Sequence, residues 1–216
     1  MKYLREFVTL LQLADIPLKQ GEPMCRHTSF QIGGPVAVMV FPENVEQMQE
    51  IFKIAAQFHI SPMILGAGSN ILAPDQGLDT VVIETRTNMN QAQRLEDGTI
   101  TAQCGMTMAR LATIAMEHGY TGLEFAHGIP GTVGGGVYMN AGAYGGETKN
   151  VASEVTAMLP DGTIKHYDNE ELDFGYRHSA VQDNHGIVLE AVFDLKPGDQ
   201  AEIIALMDDL NARRAA

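Results

Sequence analysis

Two glycine-bearing segments stand out as residues whose types and spacing could do chemistry. Gly66-Ala67-Gly68-Ser69-Asn70 directly follows a short apolar run, Met63 to Leu65. Small residues let backbone approach an anion closely, and successive N–H groups form a nest around phosphate oxygens. Ser69 and Asn70 add side-chain donors. Alone, such a loop is more often an ordinary tight turn. The second segment is richer. Gly128-Ile129-Pro130-Gly131-Thr132-Val133-Gly134-Gly135-Gly136 continues through Asn140-Ala141-Gly142-Ala143-Tyr144 to Gly146, and eight of these nineteen residues are glycine in a chain with 22. Ordering so many glycines costs conformational entropy, so the concentration calls for a reason. A flexible linker would be monotonous in Gly and Ser. This segment interleaves Ile, Val, Tyr and Met, which reads as a packed, glycine-lined surface for a flat ligand lying against backbone.

Two familiar nucleotide motifs are absent. A G-x-G-x-x-G fingerprint starting at Gly66 would need glycine where Ile71 stands, and no Gly-Lys pair exists for a P-loop. Net charge bounds the partners further. The 216 residues carry 14 Lys and Arg against 27 Asp and Glu, a formal charge of −13. That argues against nucleic acid and against an anionic membrane surface, both of which are held by cations. A phosphorylated small molecule is still admitted, because backbone N–H groups bind phosphate without a cationic side chain. Cys25 and Cys104 form neither a disulfide framework nor a zinc site, and read as reduced thiols of a cytoplasmic protein. Residues 1–13 lack a signal peptide's apolar core, and no stretch approaches the ~20 apolar residues of a membrane helix. Nothing in the composition sets an oligomeric state.

The elements that must position the glycine segments fall into two patterns. Residues 1–15 read as a helix with Leu4, Phe7, Val8 and Leu11 on one face, ended by Pro17 and Gly21. Val36 to Phe41 is a strand. Val45 to Phe58 is a helix with Val45, Met48, Ile51, Phe52 and Ala55 in register. Met63–Leu65 and Val81–Ile83 are short buried strands, and the whole predicts a small parallel sheet. After about residue 85 hairpins take over. Asp97-Gly98 and Asp161-Gly162 each sit between two short strands. Thr107–Glu117 reads as a helix, Gly186–Leu195 as a strand, and Asp199–Arg214 as a final helix with Ile203, Leu206, Met207 and Leu210 on one face. The expected organisation is a helix at 1–20, a βαβ lobe at 21–85, a mostly antiparallel α+β lobe at 86–198 and a closing helix at 199–216.

Four separated motifs occur in one order: His27-Thr28-Ser29-Phe30 with Ile32-Gly33-Gly34, the first glycine loop, the second glycine segment, and Phe174-Gly175-Tyr176-Arg177. Together they resemble the UDP-N-acetylenolpyruvoylglucosamine reductase family, from about residue 24 to the C-terminus. Tyr138 to Glu147 is similar to the shorter of its two subtypes. The resemblance implies an α+β, two-lobed FAD-binding fold of the vanillyl-alcohol-oxidase/PCMH type, followed by a separate substrate domain. It implies NADPH as hydride donor, a UDP-sugar bearing an enolpyruvyl group as substrate, and a place in peptidoglycan synthesis.

By the same resemblance, Gly66, Ala67, Gly68, Ser69 and Asn70 would cradle the FAD pyrophosphate. Gly128, Ile129, Pro130, Gly131, Thr132, Gly134 and Gly135, with Asn140, Ala141, Gly142, Ala143 and Tyr144, would line the rest of the cofactor. Related oxidases often attach FAD through a histidine in the first loop. Here that loop has none, so FAD is expected to be non-covalent. Arg177 matches the family's catalytic arginine, which binds the substrate carboxylate and stabilises the enolate; a guanidinium, always charged and bidentate, suits that work. A lone arginine is by default a surface residue, a reading that Phe174-Gly175-Tyr176 counts against. Tyr176 offers a donor nearby. His27, His118, His127 and His178 receive no role, and no metal is expected. The family's serine or cysteine proton donor and its late glutamate match nothing before Ala216, so the chain is expected to lack them. A non-catalytic FAD-binding module and an oxidase of the same fold are the alternatives.

Overall fold

The computed structural model describes residues 3–215 and divides them into two compact units, Met1–Met89 and Asn90–Ala216. In the first, α1 (Leu4–Leu13) buries Phe7, Val8 and Leu11, while Leu4 is only half-buried. Met1 and Lys2 of the expected helix lie outside the described residues. The strands β1 (Leu18–Gln20), β2 (Val36–Val40), β3 (Met63–Leu65) and β4 (Leu78–Glu84) form one sheet in the order β1-β2-β4-β3. β2 and β3 both run parallel to β4, as the βαβ pattern predicts. β1 was not expected, and it pairs antiparallel with β2, Leu18 opposite Val40. Three residues are too few to show a period of two.

The crossover helix α2 (Val45–Gln57) starts where Asn44 Oδ1 accepts the Gln47 N–H at 2.8 Å. Its buried face is Met48, Ile51, Ile54 and Ala55. Phe52, expected on that face, is half-buried, and Ile54 takes its place. Met24, Val36, Met39, Leu65 and Val82 make the core beside β3.

The second unit is built on a five-stranded antiparallel sheet. Its strands are β5 (Ala92–Arg94), β6 (Ile100–Gln103), β10 (Ala152–Met158), β11 (Ile164–Asp168) and β12 (Ile187–Phe193), in the order β11-β10-β12-β6-β5. The remaining short strands are β7 (Tyr120–Thr121), β8 (Gly142–Ala143), β9 (Gly146–Glu147) and β13 (Lys196–Pro197). Both Asp-Gly signals make the same turn. Leu95 N donates to Thr99 O and Thr99 N to Asp97 Oδ1; Leu159 N donates to Thr163 O and Thr163 N to Asp161 Oδ1. The Asp supplies the acceptor and the Gly, at φ +94 and +86, the left-handed residue. The helices are α3 (Met108–Glu117), α4 (Val133–Tyr138), α5 (Ala180–Asp183) and α6 (Gln200–Ala215). On α6, Ile203, Met207 and Leu210 are buried, but Leu206, expected with them, is 44% exposed.

α4 lies inside the second glycine segment, where the composition alone gives no helix. Glycine disfavours a helix interior by about 1 kcal/mol per residue. Here Val133 and Val137, four apart, are fully buried, and Thr132 caps the helix start. Tertiary burial outweighs the local preference.

Candidate functional site

The first glycine loop leaves the end of β3. Gly68 is buried with φ +62, and a Cβ placed there would lie 2.1 Å from the His27 carbonyl oxygen. No side chain fits between the two strands of chain. Ser29 N donates to Gly68 O at 3.1 Å, which ties the crossing. Residues 27–29 are themselves fixed. Thr28 Oγ1 donates to Ile32 O at 2.9 Å, and His27 Nε2 stands 3.0 Å from Glu22 Oε1. That contact is the chief reason the buried Glu22 carboxyl is held below the usual glutamate range, with burial opposing it. The His27–Phe30 motif is therefore the backing of the glycine loop. Ser69 is half-buried and Asn70 exposed beside it.

The second segment and the Phe174–Arg177 motif meet within the second unit. Asn140 is 3% exposed and makes three hydrogen bonds. Its Nδ2 donates to Gly175 O at 2.9 Å and to Glu147 Oε2 at 3.0 Å, and its Oδ1 accepts from Lys149 N at 3.0 Å. From the other side, Gln182 Nε2 donates to Arg177 O at 3.1 Å and to Tyr138 O at 2.6 Å. Ser179 Oγ also donates to Tyr138 O, at 3.0 Å. The main chain of Arg177 is thus clamped to the end of α4.

A cavity of about 190 Å³ results, lined by Asn140, Gly142 to Glu147, Tyr176 and Arg177. Three of its residues, Asn140, Tyr144 and Arg177, have φ of +41, +53 and +55. Left-handed non-glycine residues gather where a site dictates backbone shape. The Arg177 guanidinium lies 5.8 Å from the Tyr176 ring and has no carboxylate partner among the described residues. The Glu147 carboxylate is occupied instead by Lys149 Nζ at 3.0 Å and by Asn140. The Lys149 and Asn140 hydrogen bonds, in that order, keep it below the usual glutamate range, and the Arg177 charge adds to them. An uncommitted guanidinium over a glycine-lined hollow is suited to gripping a carboxylate.

The site residues expected from sequence separate accordingly. Asn140, Gly142, Ala143, Tyr144 and Arg177 line one cavity. Ala141 is buried beneath it, its carbonyl accepting from Thr148 N and Oγ1. Thr132 is buried as the α4 cap, Gly131 O accepts from Met108 N, and Pro130 is exposed. Gly66 to Asn70 belong to the first unit. Glu147, Lys149, Ser179 and Gln182 were not expected. The contacts of Ser179 and Gln182 with Tyr138 span 41 and 44 positions and leave no local signal, whereas Glu147 and Lys149 pair two residues apart. Among the described residues no group of His, Cys, Asp and Glu could hold a metal.

The class follows from comparison with known families: the family described as FAD binding domain matches residues 36–168. Among curated relatives, the UDP-N-acetylenolpyruvoylglucosamine reductase of Limosilactobacillus reuteri is 50% identical over 95% of this chain, and that of Limosilactobacillus fermentum 47% over 94%. The chain belongs to the UDP-N-acetylenolpyruvoylglucosamine reductase family. It spans 68% and 67% of the length of those two relatives, about two thirds. The solved reductase from Thermus caldophilus aligns at 28% identity with a TM-score of 0.78, over 93% of this chain and 69% of that one. A chitooligosaccharide oxidase, at 20% identity and a TM-score of 0.69 over 88% of this chain and 43% of that one, shares the fold. The α+β, two-lobed FAD-binding fold of the vanillyl-alcohol-oxidase type is thereby shown.

Proposed function

We propose that this chain is the FAD-binding part of a reductase that uses NADPH to reduce a UDP-sugar bearing an enolpyruvyl group, in peptidoglycan synthesis in the cytoplasm. The carrying observation is Arg177, a guanidinium with its main chain clamped and its side chain uncommitted, at a cavity lined by glycines. Residues 21–85 and 86–198 are the two FAD-binding lobes, and 199–216 leads toward a substrate domain. No helix of the described residues is long and apolar enough to cross a membrane.

The residues present fit a flavin. Gly142, Ala143, Gly145 and Gly146 give the cavity a floor of backbone and small groups, against which a flat ring can lie. Gly66 to Asn70 offer N–H groups and two polar side chains to a pyrophosphate. When bound, and once reduced by NADPH, FAD would supply the hydride. Arg177 would bind the substrate carboxylate and balance the negative charge delocalised onto it as hydride adds to the far carbon of the double bond; the carbon beside the carboxylate then takes a proton. Asn140 and Gln182 orient Arg177, and Lys149 keeps Glu147 engaged elsewhere.

FAD is held without a covalent bond, since Gly66 to Asn70 contain neither His nor Cys. Acid precipitation of the flavin-loaded protein is the experiment. Yellow flavin released into the supernatant is the expected result. Flavin retained in the pellet, or no flavin taken up on reconstitution, overturns the reading.

A further inference from the structure

The glycine segment carries no cation of its own: the sequence has no Lys or Arg between Arg110 and Lys149. The fold brings one to it from the last turn of α6. A Cβ placed on Gly128 would stand 1.2 Å from Arg214 Nη1 and 2.5 Å from its Cζ, so the guanidinium occupies the space that glycine leaves. On its other side the Arg214 Cζ lies 5.4 Å from the centre of the Tyr144 ring. One turn earlier, Asn211 Nδ2 donates to His127 Nδ1 at 2.7 Å and fixes the helix end against the segment. The neighbouring Arg213 is paired with Asp209, Nη2 to Oδ2 at 2.6 Å. Arg214 has no carboxylate partner and no hydrogen-bond acceptor among the described residues, and it is exposed.

We propose that Arg214 is a diphosphate-binding residue, presented by α6 at the glycine segment. Arg214 is packed in place on two faces, by Gly128 and by the Tyr144 ring. Its planar fork of N–H donors matches phosphate oxygens bidentately. The choice of diphosphate rests on the reading under Proposed function. The ligands there carry one carboxylate, which falls to Arg177, and diphosphates on FAD, on the nucleotide sugar and on NADPH; the first two are the candidates for Arg214.

The test compares Arg214→Ala, Arg214→Lys and the unsubstituted protein. Three probes are titrated at low and high salt: FAD, riboflavin, and UDP-N-acetylglucosamine added to flavin-loaded protein. A charge-assisted hydrogen bond lost from one diphosphate should weaken that ligand about ten- to hundredfold. Arg214→Lys should lose less, since it keeps charge but not the fork. Riboflavin, without phosphate, should bind all three proteins alike. Selective loss of FAD assigns Arg214 to the cofactor diphosphate; loss of the nucleotide sugar with FAD intact assigns it to the substrate's. Gly128→Ala, which displaces the guanidinium, should move the same ligand. Unchanged affinity for both diphosphates overturns the proposal, and so does an equal loss of riboflavin and FAD, which marks a structural effect. Failure of the unsubstituted protein to bind FAD overturns instead the reading on which the proposal rests.

Discussion

The side-chain amide of Asn140 donates to the carbonyl of Gly175, thirty-five positions later, across 2.9 Å. That bond joins the glycine segment to the loop that presents Arg177, two residues further on. The same amide group holds Glu147 and accepts from the Lys149 N–H. One buried residue therefore sets both the floor and the rim of the cavity. Its φ of +41 suits asparagine, which tolerates the left-handed region better than other non-glycine residues.

Asn140→Ala removes all three bonds and leaves the Gly175 carbonyl and the Lys149 N–H without that partner. A net hydrogen bond is worth about 1 kcal/mol, so a loss of roughly 2–4 kcal/mol is expected, including the poorer fit of alanine at positive φ. Urea denaturation of the two proteins measures it. A midpoint unchanged by the substitution would show that the network does not hold the loop.

Gly68→Val separates two reasons for a glycine. The sequence suggests that a ligand must approach the backbone there. The structure shows that the chain itself does, at 2.1 Å from a built Cβ to the His27 oxygen. Gly68→Val should therefore destabilise the FAD-free protein by more than about 2 kcal/mol, in the range of overpacked and left-handed sites. Ser69→Ala should cost only about 0.5–1.5 kcal/mol of FAD binding. Thermal melts without FAD, followed by FAD titration, decide. Normal stability of Gly68→Val with FAD binding abolished would restore the ligand-approach account.

Glu22 makes stability depend on pH with a definite sign. Its hydrogen bond with His27, ahead of the opposing burial and the charges of Lys19, His27 and Arg26, depresses the folded carboxyl. The unfolded state then binds the proton more readily. The contribution is complete above the ordinary glutamate value and disappears as pH falls through the depressed folded one. Melting temperatures from about pH 6 to about pH 3 should show the unsubstituted protein losing its advantage over Glu22→Gln. A constant difference across that range counts against the pair.

Much of the framework was legible because it is local. The α2 start is an Asn44 side chain three residues from its donor, and both Asp-Gly turns close within five residues. What escaped was either too short for a period, as in β1, or locally contradicted, as in α4 with its consecutive glycines. Leu206 shows the remaining difficulty: helical spacing puts it near the apolar face, but only the packing of α6 decides that it stays exposed. The candidate site divides in the same way. The glycines and Arg177 could be picked out by motif, whereas Gln182 and Ser179 act on Tyr138 across more than forty positions that no spacing announces.

Lys149 gives the sharpest test of the cavity's electrostatics. Glu147 and Arg177 line the same cavity, and an ion pair between them would close the site to a carboxylate ligand. Among the described residues Lys149 Nζ, 3.0 Å from Glu147 Oε2, is the one charged group that engages the acid instead, beside the hydrogen bonds from Asn140 Nδ2 and the Asn150 N–H. In a version of the protein that also carries the substrate domain, Arg177→Ala sets the scale: FAD binding should be intact and reduction of the enolpyruvyl substrate slowed about 10²–10³-fold, as for one lost electrostatic donor. Lys149→Ala should leave FAD binding unchanged and weaken the substrate-induced change in flavin absorbance, because Glu147 turns to Arg177. Adding Glu147→Gln to Lys149→Ala should then restore the response, a rescue that a simple loss of positive charge does not allow. The single Glu147→Gln variant should bind substrate at least as well as the unsubstituted protein. If the double variant is as weak as Lys149→Ala, the cation acts directly on the ligand and Glu147 is not its rival.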